Sequence, residues 1–144
     1  MKRNDLITYL DRYLEINRFN SIDASLNGLQ VGAENRDIKT IVFAVDACLE
    51  TIEKAIESKA DMLIVHHGLY WGSPIAIKDN FYKKIKLLID NKVDLYAAHL
   101  PLDAHLEVGN NVMMAKKLNL EDVEAAFSYK GENVGIIGIL KNEK

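Results

Sequence analysis

His66 and His67 stand side by side where the apolar run Met62-Leu63-Ile64-Val65 stops, and Gly68 follows them. A second strand-like run, Val93-Asp94-Leu95-Tyr96-Ala97-Ala98, ends in His99-Leu100-Pro101-Leu102-Asp103-Ala104-His105. All 4 histidines of the chain fall in these two places. Imidazole nitrogen and carboxylate oxygen are the ligands that zinc, iron and manganese share. Both clusters lie where a strand should stop, and open α/β sheets place their ligands there. We therefore expect the two strand ends to converge, with His66, His67 and Asp103 binding a divalent metal (Zn, Fe or Mn). Successive strand residues point to opposite faces, so His66 and His67 share one pocket only if the backbone leaves β geometry, which Gly68 would help. The pair could then serve two ions, which sit about 3.5–4 Å apart in paired catalytic sites. Pro101 stiffens the loop that carries Asp103.

His99 and His105 are the candidates for proton transfer, or for orienting a ligand from behind. His105 also reads as a plain surface residue. Each histidine has a simpler alternative, that of a hydrogen-bonded structural group at a strand end. Asp46 is equally a site residue or a helix N-cap. Tyr70 and Trp71 could stack on a flat ligand or form an aromatic lid over the core. Cys48 reads as a small half-buried residue in preference to a reactive thiol.

The elements that must position these residues follow from periodicity. Asn4 or Asp5 caps a first helix with Leu6, Leu10, Tyr13 and Leu14 along one stripe, ending near Asn17. Residues 21–32 are irregular, with a turn signal at Asn27-Gly28. Thr40 to Val45 is apolar without alternation, the mark of a strand buried on both faces. Leu49, Ile52, Ala55 and Ile56 line the next helix; Met62 to Val65 form the second strand. A helix from Asp79 or Asn80 turns Phe81, Ile85, Leu88 and Ile89 inward, and Val93 to Ala98 form the third strand. A helix after Gly109-Asn110 carries Val112, Met113, Ala115, Lys116 and Leu118, its methionines serving as core filler. Strands are expected at Val123–Phe127 and Val134–Leu140. This β-α-β-α-β-α-β order is that of a layered α/β domain, residues 1–144, with its first three strands parallel and helices flanking the sheet.

At 144 residues with 49% hydrophobic content, the chain is long enough to bury a core. A net charge of −3 gives no basic footprint for nucleic acid or an anionic membrane, so neither is an expected partner. No stretch approaches the ~20 apolar residues of a membrane-spanning helix, and the N-terminus is not that of a signal peptide. A single cysteine suits a reducing cytoplasm. After Leu140 only Lys141-Asn142-Glu143-Lys144 remain, so no helix follows to cover the sheet, and the chain reads as stopped in mid-fold.

Several stretches together resemble one family: Asn27-Gly28-Leu29-Gln30-Val31-Gly32, Ala44-Val45-Asp46-Ala47, Leu63-Ile64-Val65-His66-His67-Gly68-Leu69, His99 to His105, and Gly109-Asn110-Asn111. In that order they are similar to the NIF-three-like proteins, also known as GTP cyclohydrolase 1 type 2 homologues. The resemblance implies a two-lobed α/β fold, a toroidal hexamer and a dinuclear metal centre. By motif it implies that His66 and His67 bind different ions and that Asp103 joins the ion held by His67. The family completes its site with a His-x-x-x-Glu motif near its C-terminus, which this sequence lacks, since no histidine follows His105. The chain thus resembles one lobe, the first half of a member, and weak or single-metal occupancy is expected.

Three functions fit these residues. The first is metal-dependent hydrolysis of a small, nucleotide-like substrate, the ion supplying hydroxide at neutral pH. The second is a non-catalytic metal-binding or regulatory assembly protein. The third is an α/β domain whose histidines are structural.

Overall fold

A computed structural model describes residues 1–140. The chain divides into two compact units, Met1–His99 and Leu100–Lys144. In the first unit, α1 (Arg3–Tyr13) and α2 (Ile16–Phe19) are separated by Glu15, which takes left-handed backbone at φ 53°. Then follow β1 (Gly28–Val31), β2 (Ile41–Asp46), α3 (Leu49–Glu57), β3 (Met62–His67), α4 (Asp79–Asp90) and β4 (Asp94–Ala97). The strands form one 4-stranded sheet in the order β1-β4-β3-β2. β2, β3 and β4 are parallel, as expected, and β1 lies antiparallel to β4.

The core is built by the predicted apolar faces. Ile52 and Ala55 of α3 and Leu88 of α4 join Leu63, Val65, Leu95 and Ala97 in one buried cluster. Ile52, Leu63, Leu88 and Leu95 expose no surface. Burying each such side chain contributes ~1.5–3 kcal/mol. Tyr96 is also fully buried, and its hydroxyl donates to Asp11 Oδ1 at 2.8 Å, which ties α1 to β4. Burial, with the Asp11 carboxylate beside it, pushes that hydroxyl far above the usual phenol range.

Several expectations are corrected. β2 is not buried on both faces: it is the outer strand, and its Phe43 is 74% exposed. Asn27-Gly28 does not turn the chain within an irregular segment but launches β1, with Gly28 at φ 95°. The three residues after it are too few to show a two-residue period. The first helix starts at Arg3 after Lys2, without a side-chain cap. Ile89 faces outward, because Leu88 takes the inward position.

At the start of the parallel strands, Arg36 donates to Asp61 Oδ1 at 3.0 Å and lies 3.5 Å from Asp94 Oδ2. Asp61 Oδ2 accepts from the Lys39 and Thr40 amides at 2.8 and 2.9 Å. Desolvation raises the Asp61 pKa, but these amides and Arg36 outweigh it, and the carboxyl ends below its ordinary value. Asp94 is 2% exposed, and burial lifts its carboxyl above the ordinary range despite Arg36.

The second unit holds α5 (Leu100–Ala104), α6 (Asn110–Lys117), β5 (Leu120–Tyr129) and β6 (Glu132–Leu140). Helix α5 is absent from the sequence reading, which leaves those residues as loop. β5 and β6 form a hairpin closed by Lys130-Gly131, both at positive φ (49° and 94°), the geometry of a type I′ turn. β5 begins three residues before the expected Val123–Phe127, across a register irregularity between Glu121 and Glu124, and ends two residues after it, at the turn. Met113 and Met114 are exposed rather than core filler, and α6 buries Val112 and Ala115 instead. The uncovered sheet face predicted from residues 141–144 lies outside the described residues. Among the described residues no helix is long and apolar enough to cross a membrane.

Candidate metal centre

β3 carries His66 and His67 at its end, and His99 stands just past the end of the adjacent parallel strand β4. Parallel pairing therefore delivers residues far apart in sequence to one rim. The ring centroids of His66 and His67 are 4.5 Å apart, those of His66 and His99 4.9 Å, and those of His67 and His99 5.6 Å. A ligating nitrogen from each of the three rings lies within 4.8 Å of the other two. Nitrogens sharing one zinc at ~2.0–2.1 Å can be at most ~4 Å apart, a little closer than this.

Pairing continues through His67, whose partner is Asp46, so the backbone does not leave β geometry as expected. The two rings meet because each is drawn to a neighbour at the same end of the sheet. His66 Nδ1 lies 3.0 Å from the carbonyl oxygen of Ala98, beyond β4. His67 Nδ1 lies 2.7 Å from Asp46 Oδ1, at the end of β2. Gly68 has a different role from the one expected. A Cβ there would collide with the side-chain amide of Gln30. The Gln30 amide occupies that space, accepting from Leu69 N and donating to the Leu26 carbonyl, both at 2.6 Å.

His99 is fixed twice. Its amide donates to Asn27 Oδ1 at 2.7 Å, and its Nδ1 lies 2.9 Å from Asp23 Oδ1. The Asp23 side chain is 1% exposed. It also accepts from Ser25 N at 2.9 Å and Asn27 Nδ2 at 2.8 Å, which offsets the cost of burying a carboxylate.

These partners decide the tautomers. A carbonyl oxygen only accepts, so His66 Nδ1 carries the proton. Carboxylates facing His67 and His99 select the same form. With the proton on Nδ1, each ring keeps its Nε2 for an ion, the arrangement found behind metal-ligating histidines. Two carboxylates behind the rings add negative charge that suits a cation. The donor set fits a divalent transition ion.

Among the residues singled out from the sequence, the structure brings together His66, His67 and His99. It makes His99 a candidate ligand, an alternative to the proton-transfer role expected of it. Asp103 and His105 belong to the second unit. There Asn110 Nδ2 donates to Asp103 Oδ1 at 2.9 Å, and His105 Nδ1 accepts from the Glu107 and Val108 amides at 3.2 and 3.3 Å. Asp46 proves to be a partner of His67, and the N-cap of α3 is Cys48, whose Sγ accepts from Thr51 N at 3.4 Å. Hydrogen bonds from Thr51 hold the Cys48 thiol below its usual pKa. Sequence reasoning missed Asp23, for which no local pattern exists. It noticed Asn27 and Gln30 only within a motif, without their roles. Tyr70 and Trp71 divide the two alternatives: Tyr70 packs edge-on against Phe81, while Trp71 lies beside His99 and His67.

The family description Duf34/NIF3 (NGG1p interacting factor 3) matches residues 1–144. A relative from Pyrococcus abyssi named "GTP cyclohydrolase 1 type 2 homolog" is 48% identical over 144 residues, covering 100% of this chain and 56% of the relative. A relative of the same name from Deinococcus radiodurans is 44% identical, covering 98% of this chain and 52% of the relative. Among solved structures, TTHA1606 from Thermus thermophilus superposes with a TM-score of 0.83 at 47% identity, over 88% of this chain and 51% of that one. HcgD from Methanocaldococcus jannaschii gives 0.83 at 33% identity, over 98% of this chain and 55% of that one. The chain spans about half the length of the curated relatives it matches. It belongs to the Duf34/NIF3 family.

Proposed function

We propose that His66, His67 and His99 hold a divalent transition ion and that this ion serves hydrolysis of a nucleotide-like substrate. The observation that supports this reading most is the shared tautomer: three clustered imidazoles, each with Nδ1 engaged by an acceptor. Nitrogen donors favour zinc or iron over magnesium and calcium. When bound, the ion supplies Lewis acidity and lowers the pKa of water. The chain's own residues orient the donors: Asp23 and Asp46 hold His99 and His67, and the Ala98 carbonyl holds His66. The relatives' name, GTP cyclohydrolase 1 type 2 homolog, points to a guanine nucleotide as substrate.

The metal role of Asp103 rests on its place after the third parallel strand and on the family resemblance, the proton role of His105 on its residue type and place alone, and assembly into a hexameric ring on the resemblance. Calorimetric titration with zinc, manganese and ferrous iron tests the metal reading, and nucleotide turnover with each metal tests the hydrolase. Saturable binding lost in His67→Ala supports the first; no turnover with any metal removes the second. Light scattering measures the assembly.

One observation favours a non-catalytic, metal-binding regulatory role instead. Within the triad every Nδ1 is already committed, so an imidazole that also binds an ion through Nε2 has no nitrogen with which to move protons. Metal binding that alters partner association, without turnover, would support that reading.

A further inference from the structure

Trp71 is the chain's 1 tryptophan. Its ring centroid lies 4.9 Å from that of His99 with the planes at 76°, and 5.9 Å from that of His67 at 55°. The indole is held in place: its Nε1 donates to the Gly68 carbonyl at 3.0 Å. The backbone beneath is also pinned, because Ser25 and Trp71 form a β-bridge, Leu26 N donates to Tyr70 O at 3.1 Å and Gly72 N donates to Ala24 O at 2.6 Å. A tryptophan fixed at both ends and packed only for stability would be expected to be buried. Trp71 is instead 43% exposed, directly beside the imidazoles. Its neighbour Tyr70, by contrast, is 5.5 Å from Phe81 and packs against the hydrophobic core. An exposed, immobilised aromatic wall next to a ligand centre loses little conformational entropy when a flat ring stacks on it.

We propose that Trp71 is the platform on which the heteroaromatic ring of a ligand stacks at the histidine rim. It would select fused-ring bases over sugars or aliphatic ligands. This assignment deepens the proposed function and rests on it for the identity of the neighbouring centre, but its test separates the two.

The wild-type chain is titrated with guanosine, and with ribose 5-phosphate as a ligand without an aromatic ring, in zinc-loaded and metal-free protein. The emission of Trp71 is followed, and affinities are measured by calorimetry. Guanosine is expected to quench the emission and ribose 5-phosphate to leave it unchanged. Trp71→Ala should weaken guanosine binding about fivefold to a hundredfold, the range for removing a base-stacking aromatic. Trp71→Phe should weaken it less, and zinc affinity should change little in either variant. Tyr82→Ala, at an exposed aromatic of α4, should bind guanosine as the wild type does. Circular dichroism checks that each variant folds. The platform is overturned if guanosine does not bind, if folded Trp71→Ala binds it as tightly as the wild type, or if ribose 5-phosphate quenches equally. Zinc binding with guanosine affinity indifferent to Trp71 removes the platform and leaves the metal centre standing. Trp71-dependent guanosine binding without any zinc affinity removes the metal centre and leaves the platform.

Discussion

His67 Nδ1 stands 2.7 Å from Asp46 Oδ1, and the two residues are also register partners across β2 and β3. One pairing step of the sheet therefore sets both the position of a candidate ligand and its tautomer. Asp46→Ala should weaken zinc binding about tenfold to a hundredfold, the usual cost of removing a carboxylate behind a ligating histidine. Asp46→Asn, whose oxygen still accepts from Nδ1, should cost less. Competition titration against a chromogenic chelator measures both.

Metal should stabilise the fold. A ligand that binds only the folded state, at a hundred times its Kd, adds ~2.7 kcal/mol. Zinc should thus raise the melting temperature by several degrees, and chelator should reverse the gain. In His66→Ala/His67→Ala the gain should disappear. A wild-type melting point indifferent to zinc would return these histidines to a structural role.

Gly68 and Gln30 should be energetically coupled. Gly68→Ala forces the Gln30 amide out of its place and breaks its bonds to Leu69 and Leu26. The variant is expected to lose about 1–2 kcal/mol, the net loss of two partly exposed hydrogen bonds together with local strain. In a Gln30→Ala background the added cost of Gly68→Ala should be clearly smaller. Urea unfolding of the four proteins in the cycle gives the coupling directly, and simple additivity would show that the two do not compete for the space.

Asp61 and Asp94, on either side of Arg36, should give opposite pH dependences. The Asp61 carboxyl is held below its ordinary value, so its stabilisation is present above the unfolded pKa and lost as pH falls through the folded one. Asp61→Asn should therefore cost stability at neutral pH and progressively less in acid. The Asp94 carboxyl is raised by burial, so its ionised form weakens the fold at neutral pH. Asp94→Asn should raise the melting temperature at pH 7, with the gain fading as pH falls to the ordinary carboxylate range. Melting curves between pH 3 and pH 8, taken at roughly constant ionic strength, check both signs.

Much of the scaffold was legible because hydrophobic runs and helical stripes are local. Helical periodicity placed Ile52 and Leu88 on inward faces, the apolar runs placed Leu63 and Leu95 in strands, and all four are buried. The parallel order of β2, β3 and β4 followed from the alternation of strands with helices. What failed depended on neighbours that no local window contains. Phe43 sits in an apolar run like that of β3, yet its strand is outermost. Gly28 reads as a turn residue but starts a strand whose partner lies far along the chain. The pairing of His66 with His67 was recognised, while the means of joining them was not. The reach of Asp23 to His99 spans 76 residues and leaves no trace in composition.

That reach has a consequence for synthesis. Residues 23, 27 and 99 must all be in place before the third imidazole is oriented, so the ribosome has to deliver most of the first unit before a competent chelator exists. Until then the emerging polypeptide offers only the adjacent pair at 66 and 67. Any ion that this rim takes up would therefore meet the complete set of imidazoles only after the first unit has collapsed.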